Sequence, residues 1–268
     1  MTAAVPVPAH PGDADVSLPL PAERVIWLTA EEALARLTEG EVRIAGQFVH
    51  GSNDTFLGCL DGAEGELSLH VVYKPRRGEQ PLWDFPGGTL ARRELAAFVL
   101  SEALGWSLAP PTVLRRGPLG GGMVQLFIPH DPALHFLALP DPDRAAVGRL
   151  AVFDVIANNA DRKSGHVLID PTGRLWAIDH GLTFHVAPKL RTVIWDAAGD
   201  RLPVDVTDDV QRVAAALADR HSDLRRAMLG LLTADEVGAT IHRAKALLKA
   251  GRLPEPDPNV RHIPWPPV

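Results

Sequence analysis

The sequence predicts an α+β fold of two lobes, a β-rich N-terminal half carrying one long helix and a mainly helical C-terminal half. Three observations point there. Residues 42–74 hold three β-rich runs separated by Gly- and Asn-rich turns. Residues 90–104 have helical spacing and end at Gly105. Beyond residue 143 helical patterns dominate, interrupted by one polar loop and one short hairpin. A small β lobe joined to a helical lobe suits a ligand cleft between them. The expected division is a flexible tail over 1–23, an N-terminal lobe over 24–128, a C-terminal lobe over 129–252 and a Pro-rich tail over 253–268.

The elements follow in order. Thr29-Ala30-Glu31-Glu32 is a capping box, with Thr29 as N-cap and Glu32 at N3, opening a helix to about Leu37. Strands are expected at 42–49, 55–60 and 67–74, the last made strongly β by Val71, Val72 and Tyr73. A Gly-rich hairpin turn covers 61–65, and a polar Pro- and Gly-rich loop covers 75–88. In that loop Trp83 and Phe85 are expected to pack between the lobes. The helix over 90–104 is read as amphipathic. Strands at 113–116 and 123–128 are joined by a Gly-rich turn over 117–122. Residues 143–157 are helical and 159–165 form the polar loop. Pro171-Thr172-Gly173 turns a hairpin between 167–170 and 175–178. Helices then include 208–218 and one opened by a second capping box, Thr233-Ala234-Asp235-Glu236, ending at Gly251.

Composition narrows the function. The formal net charge of −6 argues against a nucleic-acid partner. No run of about 18 apolar residues is present to span a membrane. The single cysteine, Cys59, excludes an internal disulfide and a multi-thiolate zinc site, and a reducing cytoplasm is the expected location.

Three features carry chemistry together. Lys74 ends an apolar strand, and Glu94 follows 20 positions later near the start of the next helix. A polar loop reads Asn158-Asn159-Ala160-Asp161-Arg162-Lys163-Ser164-Gly165-His166. Asp179 comes directly after the hairpin, 18 positions beyond Asp161. Phosphoryl transfer from ATP needs a cation on the phosphates, a metal bridging them, carboxylates to hold it and a group to orient the attacking hydroxyl.

In order and spacing, Val72-Tyr73-Lys74-Pro75, Arg93-Glu94-Leu95-Ala96-Ala97, Asn159-Ala160-Asp161-Arg162 and Ile178-Asp179-His180-Gly181 resemble the phosphatidylinositol 3-/4-kinase-like branch of the kinase fold, in particular its small bacterial members. The resemblance spans roughly residues 42–250 and implies a bilobal kinase-like fold that uses ATP with Mg²⁺ or Mn²⁺. It assigns Lys74 to the phosphates and Glu94 to orienting Lys74. Ser52 falls in the nucleotide loop, and Gln125, Phe127 and Ile128 in the hinge against adenine. Asp161 acts on the acceptor hydroxyl, with Arg162 and Lys163 beside it in the catalytic loop, and Asp179 and His166 hold the metal. The chain departs from the pattern at four places. His166 stands where the family has an asparagine ligand, Lys163 replaces a histidine, and His180 replaces the Phe of Asp-Phe-Gly. The nucleotide loop has only Gly51 and Gly58. The implied acceptor is a lipid, a protein or a small molecule. A nucleotide-sensing pseudokinase and a nucleotidyl transferase are the alternatives on the same fold.

Overall fold

The computed structural model describes residues 4–8, 25–48, 53–61, 68–139 and 143–268. Ser52, the tip of the expected nucleotide loop, and most of the 61–65 turn lie outside the described residues.

The first difference from expectation falls within the predicted tail. Ala4–Pro8 forms strand β1, paired antiparallel with β2, Val25–Thr29. Val5 and Val7 each precede a proline, which biases them toward the extended region. Helix α1, Ala30–Glu39, begins with the expected capping box. The Glu32 amide donates to Thr29 Oγ1 (3.1 Å), and the Thr29 amide donates to Glu32 Oε2 (2.7 Å).

A five-stranded antiparallel sheet follows, in the order β3-β4-β5-β7-β6. Its strands are Val42–Gln47 (β3), Phe56–Leu60 (β4), Leu69–Pro75 (β5), Thr112–Gly117 (β6) and Gly120–Leu126 (β7). In β5 the two-residue period sends Leu69, Val71 and Tyr73 into a core shared with α1. Val72 and Lys74 therefore face the opposite side, toward the cleft. The turn joining β6 and β7 is tighter than expected, at Pro118-Leu119, and Gly121 and Gly122 belong to β7. Position 122 requires glycine because β7 pairs so closely with β5 at Pro75 that no side chain fits. A Cβ would meet the Lys74 carbonyl oxygen and lie 2.7 Å from Pro75 Cα.

Helix α2, Leu90–Leu104, has the expected bounds and stops at Gly105 with φ 77°. It is not amphipathic. Arg93, Glu94, Ala97, Phe98, Leu100, Ser101 and Leu104 are all buried, because α2 lies between the sheet and the C-terminal helices. Those helices are α3 (Arg144–Ala157), α4 (Val204–Ala218), α5 (Asp223–Leu231) and α6 (Ala234–Ala250). The short hairpin of β8 (Val167–Ile169) and β9 (Leu175–Ala177) inserts Leu168 and Trp176 into the core beneath the N-terminal sheet, which joins the lobes. No helix among the described residues is long and apolar enough to cross a membrane.

Gly122→Ala should cost about 2 kcal/mol by overpacking, read by urea denaturation. It should also weaken any ligand bound at Lys74, because relief of the clash moves that residue's backbone. A stability within about 0.5 kcal/mol of wild type would show the pairing to be slack.

Candidate active site

Lys74 is placed by strand alternation and held by two carboxylates. Its Nζ lies 2.7 Å from Glu94 Oε1 and 2.8 Å from Asp179 Oδ1. Glu94 is buried at the start of the second turn of α2, and its Oε2 accepts the His180 amide at 2.8 Å. One carboxylate thus fixes both the lysine and the backbone following Asp179. Burial alone would lower the Lys74 ammonium, but Asp179 and Glu94 outweigh it and raise it above the usual lysine value. Burial likewise opposes ionisation of Asp179, yet Lys74 prevails and holds that carboxyl well below its usual range. Asp179 has φ 58°, a left-handed conformation that costs a non-glycine residue of the order of 1 kcal/mol or more. The Lys74 bond to its carboxylate and the His180 amide bond to Glu94 hold it there.

Behind the cleft lies a second hub. Arg162 is fully buried and uses all five of its N–H donors. Nε and Nη2 bond the buried Asp154 carboxylate, each at 3.0 Å. Nη1 donates to the carbonyls of Ile178 (2.7 Å) and His166 (3.2 Å), and Nη2 also meets His180 Nε2 (2.8 Å). Asn159 completes the frame, donating to Asp154 Oδ1 and accepting the Asp161 amide, both at 3.0 Å. Arg162, expected among the catalytic groups, therefore points away from the cleft and positions the loop instead. Asp154 was not singled out by sequence reasoning; its one signal is an acid within an apolar helical stretch, residues 150–157.

On the cleft side the loop presents Asp161 and His166, with Lys163 beside Asp161. Lys163 Nζ lies 3.5 Å from Asp161 Oδ2. Burial, reinforced by Asp179 and only partly offset by Lys163, raises the Asp161 carboxyl to about 6. Burial also lowers His166 to about 4; the charges of Arg162, Lys74 and Lys163 add to it, and Asp179 opposes it. The imidazole is thus neutral near pH 7. Its Nδ1 lies 3.0 Å from the Asp161 carbonyl, and its Nε2 lies 3.2 Å from Asp179 Oδ2. A single ring proton cannot serve both contacts. With the proton on Nδ1, two lone-pair atoms face each other 3.2 Å apart, an arrangement that a shared cation relieves. A backbone carbonyl taking the other ring N–H is the usual support of a metal-ligating histidine. His166 and Asp179 therefore fit a divalent cation as a pair. No cluster of three or more His, Cys, Asp or Glu residues able to hold a metal occurs among the described residues, so phosphate and water oxygens would supply the remaining ligands.

Residues 125–128, the expected hinge, line a cleft of about 290 Å³ together with Val72, Leu168, Ile178 and Lys74. Phe127 and Ile128 border it. The Gln125 side chain is buried and donates to Thr112 Oγ1 at 2.9 Å, so that residue contributes mainly backbone to the wall. Phe85 packs on Leu90 and Ala160 as expected. Trp83 does not pack: its residue is 92% exposed, and the Lys189 ammonium lies 5.1 Å from its ring centre.

Arg162→Met should cost about 3–5 kcal/mol, since it strands a buried Asp154 carboxylate. Arg162→Lys should not restore stability, because an ammonium cannot supply the bidentate fork. Urea denaturation midpoints for both variants check this, and losses below about 1 kcal/mol would contradict it.

No protein-family model matches the chain. Protein Rv2133c of Mycobacterium tuberculosis is 42% identical over 269 residues, covering 87% of this chain and 94% of its own length. Among solved structures, hydra Fam20 with sugar superposes with a TM-score of 0.56 at 16% identity, over 82% of this chain and 87% of that one. The Golgi casein kinase with Mn/ADP bound gives 0.52 at 12% identity, over 86% and 80%. At such identities these two establish the fold alone, which is bilobal and kinase-like. Its closely similar sequence over nearly the whole of both chains makes this protein a member of the family of Mycobacterium tuberculosis protein Rv2133c.

Proposed function

We propose that the chain is an ATP-dependent phosphotransferase of the phosphatidylinositol 3-/4-kinase-like type, acting on a hydroxyl acceptor. The observation that carries the reading is Lys74 held between Glu94 and Asp179 at the mouth of a cleft walled by the hinge. A kinase-like fold supports it, as does the Mn/ADP in the Golgi casein kinase structure. Lys74 then binds the phosphates, with Glu94 fixing its rotamer. Asp179 and His166 hold Mg²⁺ or Mn²⁺, which when bound neutralises charge on the phosphates. Asp161 faces the acceptor and takes its hydroxyl proton, while Lys163 beside it balances charge on the transferred group. In this reading Phe127 and Ile128, which line the cleft next to the expected lobe boundary near 128/129, form the wall against adenine.

A nucleotide sensor without turnover is the second reading. The observation favouring it is the other His166 tautomer, in which Nε2–H donates to Asp179 and no ligand lone pair remains there. Incubation with ATP and Mg²⁺ or Mn²⁺ against lipid, protein and small-molecule acceptors separates the readings by product mass. One added phosphate supports transfer, AMP identifies a nucleotidyl transferase, and an unmodified panel with intact ATP leaves the sensor.

Asp161→Asn should reduce transfer by at least about a hundredfold, the general-base contribution, while the ATP-dependent rise in Tm persists. Wild-type kcat should rise with pH through about 6, because Asp161 must be ionised to accept a proton. His166, lowered to about 4, adds no inflection in that window. A flat profile from about pH 5 to 8 would remove Asp161 from the role.

His166→Asn should shift metal preference from Mn²⁺ toward Mg²⁺ by about tenfold, since an amide oxygen suits the harder cation. An unchanged Mn²⁺/Mg²⁺ activity ratio would mean that His166 only supports the loop.

A further inference from the structure

The Pro-rich segment after α6 stays on the C-terminal lobe. Leu253 and Pro264 are buried. Pro264, Pro266 and Pro267 have no amide donors, so this stretch attaches chiefly by its carbonyls, and their fixed φ lowers the entropy of ordering it. The His262 carbonyl accepts the Thr192 amide at 3.0 Å and the Trp195 indole N–H at 3.2 Å. The His262 ring meets Trp195 edge-on, with centroids 5.8 Å apart. Five residues later the Pro267 carbonyl accepts the Ser164 amide at 2.8 Å.

Both receiving residues belong to the machinery of the site. Thr192 pairs with Arg162 in a parallel bridge, and its hydroxyl lies 3.5 Å from Asp154. Ser164 is fully buried between Lys163 and the Gly165-His166 turn. Its Oγ accepts the Leu137 amide at 2.9 Å and contacts His135 Nδ1 at 2.7 Å. The catalytic loop is thus held at one residue by the interlobe linker through the hydroxyl and by the C-terminal segment through the amide. None of the residues lining the cleft comes from 260–268.

We propose that residues 260–268 form a strap which, with the interlobe linker, clamps the catalytic loop at Ser164 and Thr192 and sets the rate of transfer without contributing to nucleotide binding. Ser164 is the positioning residue where the two attachments meet. The kinetic part rests on the phosphotransferase reading; the clamping itself does not.

Two nested truncations test it. Removing 267–268 deletes only the acceptor of the Ser164 amide. Hydrogen exchange at that amide should quicken by about tenfold, with Thr192 still protected. Removing 261–268 should expose both amides and lower kcat by about tenfold or more, with KM for ATP and the ATP-dependent Tm shift within about twofold of the full chain. Ser164→Ala, which keeps the strap bond and loses the linker bond, should give the same split of lowered kcat and unchanged KM. If the longer truncation fails to fold, the shorter one and Ser164→Ala carry the test. A kcat within about twofold of wild type in the truncations, or a KM for ATP that rises as kcat falls, overturns the proposal. If the full chain turns over no ATP, the phosphotransferase reading fails and exchange alone judges the strap. Protection at Ser164 and Thr192 that disappears on truncation then supports it, and amides unprotected in the full chain refute it.

Discussion

The Arg162 guanidinium organises the C-terminal side of the cleft because its five donors reach four different groups around it. Two lock onto Asp154 of α3, two hold the carbonyls of His166 and Ile178, and one meets the His180 ring. The loop bearing Asp161, the turn bearing His166 and the strand end bearing Asp179 are thereby tied to one buried charge. Such a pair is no source of net stability, since desolvation offsets most of its attraction. What it provides is a single arrangement: any shift of the loop leaves a donor or a carboxylate oxygen unsatisfied in a dry interior.

His180 connects this hub to the one around Lys74. Its amide donates to Glu94 and its Nε2 accepts from Arg162, so the ring must be neutral at that nitrogen. Burial, with Arg162 next, lowers its basicity well below the usual histidine range and keeps it so. The phenylalanine of the related motif could not accept from Arg162 and would leave an Nη2 proton without that partner. The histidine in Asp179-His180-Gly181 is therefore part of this chain's polar frame, and its presence is not a mark of lost function. The same reasoning separates the two departures. His180 is turned inward and has structural work, whereas His166 faces Asp179 at the cleft.

Local signals in the sequence were reliable where the interaction itself is local. Both capping boxes, the glycine stop of α2 and the alternation that turns Lys74 toward the cleft depend on residues a few positions apart. Glu94 was legible because a strand, a loop and one helical turn lead directly to it. The roles of Arg162 and Ser164 were not, since they depend on Asp154, Ile178, His135 and Pro267, partners brought together only by the fold. The amphipathic reading of α2 failed for a related reason: a helix covered on opposite sides by different lobes buries polar residues too. The glycines at 121 and 122 resembled a turn, but one of them marks a close pairing of β7 with β5 that leaves no space for a Cβ. Trp83 looked like packing by composition, yet its neighbour two positions on, Phe85, occupies the apolar site between the lobes.

The burial of α2 constrains how the cleft can move. Arg93 forms an ion pair with Glu236 of α6, donates to the Thr183 carbonyl at 2.6 Å, and stacks 4.9 Å from the Phe85 ring centre. Glu79 caps the other end of the contact, accepting the Ala91 amide at 3.1 Å. A helix so tied to the C-terminal lobe cannot swing away from Lys74 without breaking a buried ion pair, and that cost exceeds what a modest ligand preference supplies. The Lys74–Glu94 contact is accordingly a fixed feature of the fold. The freedom that remains lies in the sheet, whose edge strand β3 exposes every residue after Val42.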